Sequence, residues 1–81
     1  MKVLITKTAR KDIEALPLLV QVRIENAILK LASYPEVAGI KALKGGLKGS
    51  LRIRVGAYRV LFEVAMDSVK VTAVDNRKDV Y

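Results

Sequence analysis

The chain contains no cysteine, histidine or tryptophan, and its only aromatic residues are one Phe and three Tyr. Without cysteine there is no disulfide framework and no thiol nucleophile. Without histidine the chain lacks the commonest metal ligand and the commonest acid–base group. Its carboxylates form no tight cluster along the sequence, so we expect no metal and no cofactor, and any catalysis should be metal-free.

Acidic residues are missing from one long segment. Between Val37 and Phe62 there is no Asp or Glu, although a solvated surface normally mixes charges of both signs. The same segment contains the cations Lys41, Lys44, Lys48, Arg52, Arg54 and Arg59. With a formal charge of +7 for the whole chain, this distribution favours a polyanionic partner: nucleic acid, an acidic protein or an anionic membrane surface.

Long apolar runs are absent as well. No stretch approaches the roughly 20 apolar residues of a membrane span. Met1–Lys7 is too short, and too soon interrupted by charge, for a signal peptide. We therefore expect a cytoplasmic protein without a membrane partner. With 81 residues, of which 52% are hydrophobic, the chain should form a single domain over residues 1–81.

Hydrophobic periodicity predicts an α+β fold with an N-terminal strand, a two-helix hairpin and a three-stranded antiparallel meander. Lys2–Thr6 is rich in strand formers, and Thr8 can cap a first helix that begins at Ala9 and is broken by Pro17. A second helix runs from Leu18 to about Ser33. The segment from Pro35 to Ser50 is expected to be a linker, and the meander strands are Leu51–Val55, Tyr58–Ala65 and Val69–Val74.

Side-chain alternation predicts which residues of the meander face the helices. The predicted core positions are Leu51, Ile53, Val55, Tyr58, Val60, Phe62, Val64, Val69, Val71 and Ala73. Arg52, Arg54 and Arg59 then lie on the opposite face, where no aromatic side chain accompanies them. Alternating arginines are most often a solvated face of a half-buried sheet. However, a guanidinium is permanently charged and binds phosphate with a planar fork of donors, so a phosphate-binding surface is the alternative.

The second helix has two apolar stripes. The stronger one contains Val20, Ile24, Ala27, Ile28 and Leu31 and should face the core. Leu18, Val22 and Leu29 form a weaker stripe on roughly the opposite side. This apolar strip either packs on the first helix or is an exposed patch that needs a partner protein.

The whole pattern resembles the RelE/ParE toxin superfamily of bacterial toxin–antitoxin systems. The resemblance rests on the order of elements and on the words Leu-Lys-Gly, Leu-Arg-Ile-Arg-Val-Gly, Tyr-Arg-Val and Asn-Arg-Lys-Asp-Val-Tyr. It implies a RelE-like fold and a cognate antitoxin that covers the toxin. In the RelE-like branch it also implies an endoribonuclease that enters the ribosomal A site and cleaves mRNA there. The partners would therefore be the antitoxin, the ribosome and mRNA.

The resemblance also suggests the site residues. Arg54, Arg59, Arg77 and Tyr81 match catalytic positions, and we assign Lys44, Lys48, Arg52 and Lys78 to RNA binding. Many relatives have a histidine directly before the C-terminal arginine, but this chain has Asn76 there, so a histidine-based proton transfer does not apply. The antitoxin is expected to cover either the basic sheet face or the apolar strip.

The alternatives belong to two other classes. A ParE-like protein of the same fold would inhibit DNA gyrase without cutting RNA. A non-catalytic nucleic-acid-binding relative is the third possibility, which the missing histidine favours. The lack of an aromatic on the basic face argues against it, since single-strand binders stack bases on aromatic rings.

Overall fold

The computed structural model describes residues 1–42 and 50–76 and has the predicted α+β architecture. Two helices pack on one face of a five-stranded sheet. The elements are β1 (Lys2–Ile5), α1 (Lys7–Glu14), α2 (Leu18–Lys30), a 3₁₀ turn (Leu31–Ser33), β2 (Lys41–Ala42), β3 (Ser50–Val55), β4 (Tyr58–Val64) and β5 (Ser68–Asn76). The predicted N-terminal strand, helix pair and meander are confirmed.

The strand order across the sheet is β1-β5-β4-β3-β2. β3, β4 and β5 form the predicted antiparallel meander, and β1 adds to it in parallel beside β5. β2 was not predicted, because a two-residue strand has no measurable periodicity. It lies in the segment expected to be a linker and pairs with Leu51 and Arg52 of β3.

The core lies between the helices and the inner face of the sheet. The period of 3.6 along the helices and of 2 along the strands brings one apolar row from each element into this layer. The buried hydrophobic residues are Ala9, Ile13, Ile24, Ile28, Leu31, Ile53, Val60, Phe62, Val69, Val71 and Val74. All the meander positions predicted for the core contribute to this cluster or pack against it, with the exception of Ala73.

Ala73 departs from the prediction because β5 contains a β-bulge. Leu61 pairs with Ala73 while the next residue, Phe62, pairs with Val71, so Thr72 is an extra residue in β5. One inserted residue reverses the side-chain alternation beyond it. Val74 is therefore buried in place of Ala73, and the Thr72 hydroxyl donates a hydrogen bond of 3.3 Å to the Leu61 carbonyl.

The first helix is tied to β5 just where β1 stops pairing with it. The Thr6 hydroxyl caps α1 by accepting from the Ala9 N–H at 3.1 Å, and it donates to the Thr72 carbonyl at 3.2 Å. The cap predicted at Thr8 is therefore wrong, and the helix begins at Lys7. Nearly two helical turns later, the Asp12 carboxylate accepts from the Val74 N–H at 3.0 Å, so α1 supplies partners for backbone groups that β1 does not reach.

The second helix buries only its stronger stripe. Ile24 and Ile28 are buried, and Val20 packs against the core. The apolar strip is exposed, with fractional exposures of 75% for Leu18, 52% for Val22 and 70% for Leu29. The interpretation that this strip packs on the first helix is therefore wrong.

We expect Asp12→Ala to lower the free energy of unfolding by about 1–3 kcal/mol, because the partly buried Val74 N–H loses its acceptor. Glu14→Ala is the matched control, since it removes a carboxylate from an exposed position of the same helix. Urea unfolding followed by circular dichroism measures both variants. Equal stabilities for the two would show that the Asp12 carboxylate does not hold β5.

Candidate functional site

The arginines predicted from the meander lie together on the outer face of the sheet, the face away from the helices. Arg52 and Arg54 alternate with the buried Ile53 in β3, and Arg59 lies opposite Arg54 in β4. Arg54 is exposed, while Arg52 and Arg59 are half-buried. Because both strands are paired within one sheet, the backbone of this basic face is fixed before any ligand binds.

A tight turn sets this register. Gly56 and Ala57 connect Val55 directly to its partner Tyr58, and Gly56 has a φ of 62°. Among the described residues no other than glycine has a positive φ, so Ala57 takes the negative value that a type II′ turn has at its second central position. This two-residue loop is what places Arg54 directly across from Arg59.

Asp75 completes the row begun by Arg54 and Arg59. It lies opposite Arg59 in β5, and its carboxylate accepts two hydrogen bonds from that guanidinium. Arg59 Nε is 2.9 Å from Oδ1 and Nη2 is 2.7 Å from Oδ2, which is the bidentate arrangement of a planar guanidinium and a carboxylate. The side chains are 22% exposed for Arg59 and 42% for Asp75.

This ion pair has electrostatic and geometric consequences. The hydrogen bonds that Arg59 donates to the Asp75 carboxylate raise the pKa of Arg59 above its ordinary value, so Arg59 stays charged and cannot serve as a general base. The bidentate contact also fixes the plane of the guanidinium and partly neutralises it. Nη1 takes no part in the pair. Asp75 thus fixes the position of the Arg59 cation, whereas Arg54 forms no salt bridge with any described residue.

The sequence analysis missed Asp75. Without the bulge at Thr72, strict alternation would put Asp75 on the helix-bearing side together with Val69 and Val71. A cross-strand charge pair is a recognisable signal only once the register is known. The bulge also changes the side of the sheet to which Asn76 points. Asn76 pairs with Tyr58, and alternation puts its side chain on the same face as Val74, the face away from Asp75.

The remaining predicted site residues are not among those described. Arg77, Tyr81, Lys44, Lys48 and Lys78 lie outside residues 1–42 and 50–76. Arg52, Arg54 and Arg59 are the predicted site residues whose positions the structure gives.

The basic face has few other features within the described residues. Phe62 is fully buried and Tyr58 packs against the core, as their strand parity predicts, so neither ring lies on the basic face. The other described salt bridge, between Lys70 and Glu63, is a loose contact of 4.0 Å between exposed residues on the same face. In residues 1–42 and 50–76 no group of three or more His, Cys, Asp or Glu side chains could hold a metal ion.

None of the described helices combines the length and apolar character needed to cross a membrane.

Comparison with solved structures gives close similarity over nearly the whole chain. A chain of the RelB–RelE antitoxin–toxin complex from Methanococcus jannaschii is 32% identical, with a TM-score of 0.75 and coverage of 96% of this chain and 94% of that one. A chain of the toxin–antitoxin complex RelBE2 from Mycobacterium tuberculosis is 28% identical, with a TM-score of 0.81 and coverage of 94% and 96%.

A more distant match shares the fold. A chain of the chromosomal ParDE toxin–antitoxin system from P. aeruginosa is 13% identical, with a TM-score of 0.77 and coverage of 94% of this chain and 95% of that one. No curated protein sequence matches this chain significantly.

The family model described as the ParE toxin of the type II toxin–antitoxin system parDE matches residues 3–81. This match extends over nearly the entire sequence and includes both the basic face and the helices. The chain therefore belongs to the ParE toxin family and is a type II toxin of the RelE/ParE superfamily.

Proposed function

We propose that this toxin is a ribosome-dependent endoribonuclease that acts in the cytoplasm and cleaves mRNA in the ribosomal A site. The observation that carries the proposal is the row of Arg54 and Arg59 on a rigid sheet face, with Arg52 beside it. The relatives at 28% and 32% identity come from complexes named RelBE2 and RelB–RelE, which also favours the RelE-like activity over the gyrase-directed one.

The proposed chemistry is metal-free transesterification. The ribose 2′-oxygen attacks the adjacent phosphorus, and the bond to the 5′-oxygen breaks. A base must take the 2′-OH proton, an acid must protonate the leaving 5′-oxygen, and cations must stabilise the dianionic transition state. Because histidine is absent, the first two tasks fall to Tyr81 and to Lys48 or Lys78. The Tyr81 hydroxyl can both donate and accept a hydrogen bond, which suits it for orienting or deprotonating the 2′-OH.

Because Asp75 binds Arg59 and not Arg54, the two arginines have different roles in stabilising the transition state. Arg54 is exposed and has no described carboxylate partner, so it is the better candidate for direct contact with the scissile phosphate. Asp75 holds the Arg59 guanidinium in one orientation. Arg59 Nη1 can therefore donate to a second phosphate oxygen with little further loss of rotamer freedom. We assign Arg77 to the same charge-stabilising role, and Lys44 and Arg52 to binding of the RNA backbone.

Inhibition of DNA gyrase is the second candidate. The family model describes the ParE toxin, and Asp75 already neutralises part of the cationic row. A gyrase inhibitor needs no free guanidinium at a scissile phosphate. In such a protein the ion pair of Arg59 with Asp75 would have a structural role.

The antitoxin surface is proposed to include the apolar strip. Leu18, Val22 and Leu29 stay exposed in the folded chain, and burial of three such side chains on one helix gives a partner a large apolar contact. An acidic partner segment that folds on contact would suit the +7 charge of the chain.

Cleaved mRNA ends and gyrase supercoiling activity distinguish the two candidate activities. Purified toxin should cleave mRNA on programmed ribosomes, and Arg54→Ala should lower the single-turnover rate by about 100-fold, as does loss of a group that stabilises transition-state charge. Lys11→Ala, which removes an exposed cation from α1 on the other side of the sheet, should cleave at the parent rate. Mapping of mRNA 5′ ends measures this. Loss of gyrase supercoiling activity without new 5′ ends would establish the second candidate instead.

The role of Asp75 can be tested separately. Asp75→Asn removes a negative charge from the face and weakens the hold on Arg59. We expect unchanged or tighter ribosome binding together with a single-turnover rate about tenfold lower, because Arg59 loses its orientation. Glu63→Gln removes the same charge from the same face without touching Arg59 and should cleave at the parent rate. Faster cleavage by Asp75→Asn would mean that the pair restrains Arg59 rather than positions it.

Tyr81→Phe removes only a hydroxyl group. If Tyr81 handles the 2′-OH proton, the variant should bind ribosomes normally and cleave at least about 100-fold more slowly in single turnover, within the usual range for acid–base groups. A pH profile of the parent and the variant provides the second readout. Parent-rate cleavage by Tyr81→Phe would transfer the proton role to a lysine or to the ribosome.

A further inference from the structure

A large apolar side chain lies among the arginines on the outer face of the sheet. Leu61 alternates in β4 with the buried Val60 and Phe62, which places it on the same face as Arg59. Leu61 is half-buried and does not pack against the described hydrophobic core. Its exposed part therefore belongs to the surface that the proposed nuclease offers to RNA.

Leu61 is part of a second row of residues across this face. It lies opposite Arg52 in β3 and opposite Ala73 in β5, and the β-bulge is what brings Ala73 to the outer face. Ala73 is also half-buried and, like Leu61, does not pack against the core. Leu61 and Ala73 thus form a small apolar floor, and Arg52 borders it on the β3 side.

The apolar floor adjoins the row that contains Arg54, Arg59 and Asp75. Arg59 and Leu61 are two residues apart in one strand, so the two rows are about 7 Å apart. This separation is comparable to the distance from the phosphate to the base within one nucleotide. A nucleotide whose phosphate contacts the arginine row can therefore lay its base on the apolar floor.

We propose that the apolar floor holds a nucleobase beside the scissile phosphate, and that Leu61 is a positioning residue for RNA. The inference rests on the proposed nuclease activity, and it adds a base contact to a site otherwise built from charged groups. One face of the base would cover both Leu61 and Ala73, which removes apolar surface from water. The base would also fix the direction in which the RNA strand leaves the arginine row.

The charges around the floor favour RNA as the occupant. Among the described residues of the two rows Asp75 is the one carboxylate, and Arg59 already binds it. Arg52 and Arg54 form no salt bridge with any described residue, so the floor is flanked by cations that suit a phosphate chain. A single leucine on a protein surface is common and needs no ligand. Here, however, the leucine lies between cations rather than beside other apolar groups.

The chemistry of the floor predicts how it treats different bases. The side chains of Leu61 and Ala73 have no hydrogen-bond donor or acceptor, so the floor cannot read the edges of a base. The area of contact then decides the affinity, and a purine offers a larger face than a pyrimidine. We expect a purine to be preferred about threefold over a pyrimidine, since stacking strength rather than hydrogen bonding sets such preferences.

RNA strands with and without bases test the proposal. The probes are two fluorescein-labelled, ten-nucleotide strands with 2′-O-methyl groups, which block cleavage; one contains only adenosine and the other contains no bases. Fluorescence anisotropy at one salt concentration measures their binding. Leu61→Ala should weaken binding of the adenosine strand about fivefold, at the low end of the effects known for stacked aromatic residues. Binding of the abasic strand should not change, because the arginines remain.

Leu61→Phe makes the opposite change. A phenyl ring offers a flat surface for stacking, so this variant should bind the adenosine strand about threefold more tightly and the abasic strand as before. A folding defect cannot produce a gain that depends on the bases. Leu19→Ala is the matched control for Leu61→Ala, because Leu19 is an exposed leucine of α2, on the other side of the sheet. This control should bind both strands as the parent does.

A uridine strand of the same length tests the predicted base preference. The parent should bind it about threefold more weakly than the adenosine strand. Leu61→Ala should bind the two strands equally, because the apolar contact that distinguishes them is lost. A preference that persists in Leu61→Ala would place the base contact elsewhere and overturn the role of Leu61.

Two further results would overturn the proposal. One is equal binding of the adenosine and abasic strands by the parent, and the other is an equal loss for both strands in Leu61→Ala. Cleavage of mRNA on programmed ribosomes is measured separately with the same proteins. Cleavage without base-dependent binding would remove the floor and leave the nuclease, whereas base-dependent binding without cleavage would leave the floor and remove the nuclease.

Discussion

The bulge at Thr72 determines which side chains meet on the outer face of the sheet. Before it, Val69 and Val71 of β5 point into the core; after it, Val74 does, and Asp75 moves to the face of the arginines. A regular strand would bury the carboxylate of Asp75 under the helices without a guanidinium, which is strongly unfavourable. The extra residue therefore gives Asp75 its partner Arg59 and keeps the core apolar.

The helix layer stabilises this irregular segment of β5. A bulge disrupts the local ladder, and β1 pairs with β5 only as far as Val71. The hydroxyl of Thr6 and the carboxylate of Asp12 then supply hydrogen-bond partners to the backbone of Thr72 and Val74 on either side of Ala73. Hydrogen bonds from the start of α1 thus support the bulged part of β5, and the bulge in turn determines the position of Asp75.

Local patterns in the sequence were sufficient for most of the fold. Alternation over β3 and β4 identified the core side and the basic side, and Pro17 marked the boundary between the helices. Apart from the short β2, the failures have a common cause, which is dependence on contacts far away in the sequence. Thr6 and Thr8 are equivalent caps by local criteria, and the choice depends on pairing with β5, 66 residues away.

The same limit applied to the candidate site. The shared face of Arg52, Arg54 and Arg59 followed from a period of two and from a two-residue turn, both local features. The pairing of Arg59 with Asp75 depends on a one-residue shift in register, which the sequence of β5 does not reveal, since Thr72 and Ala73 both fit a regular strand. The exposure of the apolar strip likewise depended on where α1 lies rather than on the pattern within α2.

Arg54 differs from its neighbour in what it is able to contact. Arg59 is held by Asp75 on the outer face, whereas Arg54 is exposed and forms no salt bridge with any described residue. A guanidinium that already gives two donors to a carboxylate has fewer left for a phosphate. Arg59 is therefore the fixed member of the row, and Arg54 is the member that can reorient toward a ligand.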